Sequence, residues 1–216
     1  MNQPAIFWDL ETGPLDAVIL DIIMPEFTAA KNLKDPDKIA ADLATKKADW
    51  LDSAALRATT GQIIAAGIAN GSNEPEFLVG SERLIIETLL HDLITCMGQG
   101  GLIFTWNGLG FDLPFLCQRA AVHNIPAFRQ LGNLKSGRFY WDSSFIDAMQ
   151  VWAGYGQRAG LDDVAKCLGV GVKNGSGKDF AALLVADPVK AKEYCLNDVR
   201  LLRDVVGRMG LDRRED

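Results

Sequence analysis

Two acidic residues near the N-terminus have the spacing of a metal-binding pair. Asp9 and Glu11 lie in the segment FWDLETG, where a short apolar and aromatic run predicts a buried strand over residues 4–10. Residues i and i+2 of a strand point to the same side, so the two carboxylates would lie next to each other. A hard divalent cation with oxygen ligands offsets their repulsion and the cost of burying them. A polar strand end exposed to solvent is the alternative that the pair alone leaves open.

A second group of candidates follows the apolar segment LIFTW, which predicts a strand over residues 102–106. Asn107 would supply an amide at the tip of this strand, and Gly108 and Gly110 would let a ligand approach the backbone closely. Asp112 begins the next predicted helix. Taken alone, Asp112 is better explained as the N-cap of that helix than as a functional residue.

The third pair of candidates lies on the last predicted helix, which starts at Asp187-Pro188 and runs to about Met209. Tyr194 and Asp198, in YCLND, are four residues apart and therefore share one helix face. A tyrosine one turn from a carboxylate can hold a metal-bound water and help to deprotonate it. Taken alone, the pair is better explained by a packed tyrosine and an exposed aspartate.

Together, the three segments resemble the motifs of a known enzyme family. DLET, NGLGFD and YCLND are similar, in order and across most of the chain, to the three exonuclease motifs of the DEDD 3′→5′ exonucleases. The tyrosine four residues before the final aspartate resembles the tyrosine subtype, since the histidine subtype would have His where this chain has Glu193. The Asn-x-x-x-Phe-Asp form of the middle motif resembles the proofreading domains of family B DNA polymerases. Residues 34–69 also resemble stand-alone, phage-type exonucleases related to those domains.

The resemblance implies a two-metal mechanism and a role for each acidic residue. Asp9, Glu11 and Asp198 would bind the ion that holds the attacking water. Asp9 would bridge to a second ion near the leaving oxygen, which Asp112 would support through water. Tyr194 would orient the nucleophile. The implied cofactor is a pair of Mg²⁺ or Mn²⁺ ions, which agrees with four acids that have no Cys or His partner at ligand spacing.

Four further residues are candidates for nucleic-acid binding. Thr12, Asn107 and Phe111 match positions that hold the terminal nucleotides in the polymerase relatives. A hydroxyl, an amide and an aromatic face suit sugar, phosphate and base without reading sequence. Lys178 would match a loop lysine that touches the scissile phosphate in those relatives. Its spacing to Tyr194 departs from their pattern, and a solvated loop lysine is an equal alternative. Asp142 and Asp147 are better explained by structural hydrogen bonding.

The elements around these residues predict a mixed α/β fold. Apolar runs predict strands at residues 4–10, 17–24, 62–69, 76–79 and 102–106. Helical spacing and capping residues predict helices at residues 35–56, 81–97, 112–123, 161–168 and 188–209. Strands followed by alternating helices and strands indicate a mixed sheet flanked by helices, with a helical insertion near residues 25–60. The resemblance implies that this fold is ribonuclease H-like.

Three segments are less clearly patterned. Residues 124–144 match neither the helical nor the strand periodicity. Residues 145–149 suit either a short strand or a helix start, and residues 169–178 predict a flexible loop.

The chain of 216 residues with 48% hydrophobic content predicts a single exonuclease domain over residues 1–216. No basic leader and no apolar run of about 18 residues is present, so no signal peptide and no membrane association are expected, and a cytoplasmic location is predicted.

Charge and motif type limit the substrate. A net charge of −6 argues against a basic DNA-coating protein, but not against a nuclease whose bound cations supply positive charge. The resemblance implies single-stranded DNA 3′ ends as substrate and nucleoside monophosphates as products, and it allows a separate DNA polymerase or replication protein as partner. An RNA exonuclease of the same superfamily and a catalytically silent nucleic-acid-binding module are the alternatives.

Overall fold

A computed structural model describes residues 3–175 and 180–212. In it, a five-stranded mixed sheet carries the first candidate segment on its central strand, and the second segment follows the end of the neighbouring strand. Its strands are, in spatial order, β3 (Glu76–Val79), β2 (Gly61–Asn70), β1 (Ala5–Pro14), β4 (Leu102–Thr105) and β7 (Phe145–Asp147). β1, β4 and β7 are parallel to one another, whereas β2 and β3 are antiparallel. A separate antiparallel hairpin consists of β5 (Gly132–Lys135) and β6 (Arg138–Trp141).

Helices connect and cover these strands. They are α1 (Ala17–Ile23), α2 (Pro36–Asp52), α3 (Glu82–Gly98), α4 (Asp112–Val122), α5 (Ala127–Leu131), α6 (Ala148–Ala153), α7 (Leu161–Leu168), α8 (Phe180–Ala186) and α9 (Pro188–Met209), with a short 3-10 turn at Ala54–Leu56. The predicted mixed α/β architecture is confirmed, as is the helical insertion near residues 25–60, where α2 and the 3-10 turn lie. No helix within residues 3–175 and 180–212 has the length and apolar character needed to cross a bilayer.

The strand predicted at residues 17–24 is wrong, because this segment forms α1. A short apolar run is compatible with either structure, and here the local capping decides. The side chain of Asp16 accepts a hydrogen bond from the backbone N–H of Val18 at 2.8 Å, which is a helix N-cap. Leu20 is the buried residue of this helix.

The patternless segment 124–144 contains α5 and the β5–β6 hairpin, whose aromatic side chains pack on one another. Both interpretations of residues 145–149 hold in part, since β7 ends at Asp147 and α6 begins at the next residue. Residues 169–175 have no helix or strand, as predicted for a loop, and residues 176–179 lie outside the described residues.

Backbone contacts divide the chain into two compact units. The main unit comprises residues 1–11 and 63–216, and the insertion unit comprises residues 12–62. In the insertion unit, α2 begins at the predicted cap, where the Asp35 carboxylate accepts from the N–H of Asp37, and Pro36 occupies the first turn. The guanidinium of Arg57 lies 5.5 Å from the ring centroid of Trp50. The assignment of residues 1–216 to a single domain stays a prediction.

In the main unit, the close approach of α9 to the sheet depends on a glycine. A Cβ at Gly67 of β2 would lie 2.6 Å from Cγ2 of Val199, so a larger residue would push the helix away. The buried face of α9 joins α7 and the sheet in one apolar core that includes Phe7, Phe104 and Val164. This packing fixes the face of α9 that carries the third candidate segment.

Candidate active site

The second half of β1 extends past the end of its neighbouring strand β4. Phe7 lies opposite Phe104, and β4 ends at the next residue, Thr105. β1 runs on to Pro14, so Asp9 and Glu11 lie on the part of the strand that extends past β4. Polar side chains at this position can therefore face a ligand without interrupting the strand pairing.

Three carboxylates from two elements form an acidic cluster, defined here as Asp9, Glu11 and Asp198. Their candidate ligand atoms all lie within 4.8 Å of one another, although Asp198 belongs to α9 and the other two to β1. Glu11 and Asp198 are buried, and Asp9 is partly exposed. Three acids at this separation would repel one another strongly if they were all charged and had no cation between them.

Two oxygens of the acidic cluster have unsatisfied hydrogen-bonding capacity. Oε1 of Glu11 and Oδ1 of Asp198 are buried and have no hydrogen-bond partner among the described residues. A buried carboxylate oxygen without a partner is costly, and a divalent cation would supply the missing interaction. An all-oxygen donor set of this kind fits Mg²⁺ or Mn²⁺ rather than a soft metal.

The electrostatics of the metal-free cluster favour protonation. Burial, and then repulsion from Asp9 and Asp198, raise the pKa of Glu11 to about 10. Burial, and then repulsion from Asp112 and Asp198, raise the pKa of Asp9 well above its usual range. The pKa of Asp198 is also raised, mainly by burial, although contacts with Lys173 and Tyr194 oppose the shift. A binding cation would therefore replace protons in the cluster.

These shifts predict how pH affects the stability of the metal-free protein. The folded state holds protons on acids that the unfolded chain has already lost above about pH 4, so the cluster's contribution to stability falls as the pH rises toward the folded pKa values. We expect the melting temperature in EDTA to be lower at pH 8.5 than at pH 6. We also expect 10 mM Mg²⁺ (roughly a saturating concentration) to raise it more at pH 8.5, because binding of the ion and deprotonation are linked.

Calorimetry on the wild type and on Glu11→Gln tests this expectation. The variant removes the acid with the pKa of about 10, so it should have a smaller loss of stability between pH 6 and pH 8.5. A metal-free wild type whose melting temperature rises over that interval, or a variant with the same slope, would contradict the assignment of the raised pKa values to the cluster.

Asp112 lies beside the acidic cluster but outside the group of three. It is the first residue of α4, it is buried, and its Oδ1 accepts from the backbone N–H of Leu10 at 3.3 Å. It is not the N-cap, because Phe111 occupies that position. Burial raises the pKa of Asp112 to about 7, against the opposing effect of backbone hydrogen bonds. Asp112 thus contacts the β1 residue that separates Asp9 from Glu11.

Tyr194 is buried, and its hydroxyl lies near the Asp198 carboxylate. Its ring packs against Phe180, with the two ring centroids 5.9 Å apart. Burial, and then the charges of Asp198 and Glu11, raise the pKa of this phenol further above its usual value. In the metal-free protein Tyr194 is therefore a neutral hydrogen-bonding group rather than a base.

The middle segment forms a turn that Asp147 holds in place. The Asp147 carboxylate accepts from the N–H groups of Asn107 at 2.9 Å and of Leu109 at 3.2 Å, and it also caps α6. This is the structural hydrogen bonding that the sequence suggested for Asp147. Asn107 adopts a left-handed conformation with φ of 65°. A Cβ at Gly108 would collide with Thr105, so a glycine is needed here for the turn to pack against β4, and its expected role in ligand approach stays a prediction.

A cavity of about 400 Å³ opens beside the acidic cluster. It is lined by Asp9, Asp198, Asn107, Trp106, Met149, Arg158, Ala159, Gly160, Leu161 and Lys173. Asn107 is thus brought to the cavity, whereas Phe111 is not a lining residue and packs on Phe115 with ring centroids 5.5 Å apart. Thr12 follows Glu11 on β1 and is half-buried. Lys178 lies outside the described residues.

Sequence reasoning missed two cationic residues of this cavity. Nζ of Lys173 lies 2.5 Å from Oδ2 of Asp198, and Arg158 is an exposed lining residue. Both belong to segments without a helix or strand, at residues 154–160 and 169–175. Periodicity gives no information on which side chain of such a segment points inward, so the only available signal was the presence of a lysine in a loop before α9.

Comparison with solved structures supports the fold. The structure of the family B DNA polymerase from the hyperthermophilic archaeon Pyrobaculum calidifontis is similar to it, with a TM-score of 0.60 and 15% sequence identity. The match covers 96% of this chain and 24% of the polymerase, so the chain spans about a quarter of that protein's length. The predicted ribonuclease H-like fold is confirmed by this likeness. No curated protein matches the chain.

The chain also matches a protein family directly. Residues 70–201 match the family described as a predicted 3′-5′ exonuclease related to the exonuclease domain of PolB. The matched region contains the NGLGFD and YCLND segments, with Asp112, Tyr194 and Asp198, and covers well over half of the chain. The protein therefore belongs to the family of predicted 3′→5′ exonucleases related to the exonuclease domain of PolB.

Proposed function

We propose that the protein is a metal-dependent 3′→5′ exonuclease of the tyrosine subtype, which hydrolyses the terminal phosphodiester bond of single-stranded DNA and releases nucleoside monophosphates. The observation that supports this most strongly is the acidic cluster, whose ligand atoms lie within 4.8 Å of one another and include two buried oxygens without a partner. Such a cluster suits hard cations. The family match independently supports exonuclease chemistry.

Each acidic residue has a place in this proposal. Asp9, Glu11 and Asp198 would hold one divalent ion, and Asp9 together with Asp112 would hold a second. Bound ions would supply an activated water and would stabilise the entering and leaving oxygens of an in-line displacement. Asp112 is set by its hydrogen bond from Leu10, which keeps its carboxylate next to β1. Its pKa of about 7 allows Asp112 to be charged under mildly alkaline conditions.

The neutral residues would orient the reactants. The hydroxyl of Tyr194, which lies near Asp198, would orient the attacking water as a neutral group, because its raised pKa keeps the phenol protonated. Asn107 lines the cavity and its backbone N–H donates to Asp147, so its side-chain amide is placed to bind the terminal nucleotide. Thr12, Phe111 and Lys178 stay candidates for nucleic-acid contacts.

DNA is the proposed substrate because the family is related to a DNA polymerase domain and the middle motif has the polymerase-like form. A separate DNA polymerase or replication protein is the proposed partner. A strand with a free, unpaired 3′ end is expected to be degraded first, since the catalytic cavity must hold an unpaired terminus.

A degradation assay tests the proposed function. Single-stranded DNA labelled at the 5′ end should give a descending ladder, and 3′-labelled DNA should release labelled mononucleotide, with Mg²⁺ or Mn²⁺ but not with EDTA. Asp9→Ala should remove both cleavage and metal binding. A matched RNA strand tests sugar choice, and a closed circular single strand should remain intact. Rapid cutting of the circle, or full activity in EDTA, would contradict the proposal.

A further inference from the structure

The acidic cluster has a cationic partner within the chain. Nζ of Lys173 lies 2.5 Å from Oδ2 of Asp198, and Asp198 itself is buried. Of the ion pairs found in residues 3–175 and 180–212, this is the one that involves a member of the cluster. The contact joins residues 25 positions apart, so it is a product of tertiary folding and not of local helix geometry.

The position of Lys173 is set by three contacts. Its backbone N–H donates to Oδ1 of Asp162 at 2.8 Å, which attaches the loop to the first turn of α7. Its ammonium lies 5.7 Å from the ring centroid of Tyr194 and donates to Asp198. The side chain retains 27% exposure, because it lines the cavity. The ammonium is therefore held at the cluster but has a route toward solvent.

The same location is needed by a metal ion. The ligand atoms of Asp9, Glu11 and Asp198 lie within 4.8 Å of one another, so an ion among them would lie only a few ångströms from an ammonium bound to Asp198. Two positive charges at that separation repel strongly in a buried site. Without metal, however, the ammonium offsets the mutual repulsion of the carboxylates, which would otherwise oppose folding.

We propose that Lys173 is an internal counter-cation that pairs with Asp198 in the metal-free protein and that divalent ions must displace it when they bind. This inference rests on the proposed metal site. Lys173 thereby stabilises the metal-free fold and weakens metal binding, so that the site is loaded only when the concentration of free divalent cation is high enough.

The test measures Mn²⁺ binding to the metal-free protein by isothermal titration calorimetry at pH 7.5, together with the melting temperature with and without Mn²⁺. Lys173→Met removes the charge and keeps much of the side-chain volume. It should bind Mn²⁺ about tenfold more tightly than the wild type, equivalent to about 1.4 kcal/mol. It should also melt at a lower temperature in EDTA, with a larger gain on adding Mn²⁺.

Two further variants separate charge from structure. Lys173→Gln keeps a hydrogen-bond donor for Asp198 and should also bind Mn²⁺ more tightly, which provides a measurement if the methionine variant does not fold. Lys173→Arg keeps the charge and should behave like the wild type. Lys190→Met is the matched control, because Lys190 is an exposed lysine whose ion pair is with Asp187, outside the cluster, and it should change neither value.

The outcomes distinguish the two proposals. If the wild type binds no Mn²⁺, both the metal-dependent function and the counter-cation role are wrong. If the wild type binds Mn²⁺ but the methionine and glutamine variants bind it equally or less tightly, only the counter-cation role is wrong, and Lys173 instead positions Asp198. Tighter binding by both variants, with wild-type affinity in the arginine variant, supports competition between the ammonium and the metal.

Discussion

Asp198→Asn is expected to lose almost all 3′→5′ exonuclease activity and to bind Mn²⁺ much more weakly than the wild type. Asparagine has nearly the same shape, so α9 should still pack, but the buried charge that completes the acidic cluster is lost. Outer-shell partners of metal ligands cost about 10–100-fold when removed, and a direct ligand should cost more. Calorimetric titration with Mn²⁺ and initial rates on a 5′-labelled strand measure the two effects.

Asp204→Asn is the matched control, because Asp204 lies on the same helix and is exposed. Its activity and Mn²⁺ affinity should be close to those of the wild type. An Asp198→Asn protein that keeps wild-type Mn²⁺ affinity would show that the metal lies elsewhere. If the variant loses activity but is also unfolded at the assay temperature, unfolding explains the loss of activity. A measured melting temperature below the assay temperature identifies this outcome.

The sequence predicts regular elements well where local signals agree. α9 extends over Pro188–Met209, as predicted, because Asp187 caps its start and Gly210, with φ of 72°, supplies the left-handed residue at its end. The segment at residues 17–24 shows the opposite case. Its apolar run has no clear period, and the helix forms because Asp16 caps it, so pattern alone selected the wrong structure.

Local sequence rules predict only part of the candidate site. The i, i+2 rule places Asp9 and Glu11 on one side of β1, but no local rule brings Asp198 to them across nearly the whole chain. That convergence depends on tertiary packing, including the close approach of α9 to β2 at Gly67, and the sequence indicated it only through resemblance to a family. Lys173 was missed because its contact with Asp198 depends on the path of a loop.

Tyr194 could serve packing through its ring or chemistry through its hydroxyl, so its role needs a direct test. Its ring is buried against Phe180, which is what a packing residue would do. Its hydroxyl, however, lies close enough to Asp198 of the acidic cluster for that charge to raise the pKa of the phenol, and packing alone does not require this position. Removing the hydroxyl while keeping the ring separates the two contributions.

We expect Tyr194→Phe to lower the cleavage rate by roughly 10²–10⁴, the range for a positioned acid–base group, while Mn²⁺ and DNA affinities barely change. All four acids remain, and loss of the hydroxyl should cost at most about 1 kcal/mol of stability. The control is Glu193→Gln, since Glu193 is exposed, pairs with Arg200, and should have a mild effect. Single-turnover rates, Mn²⁺ titration and melting temperatures decide the matter. A phenylalanine variant with nearly full activity and a clearly lower melting temperature would mean that Tyr194 serves packing and that another group orients the water.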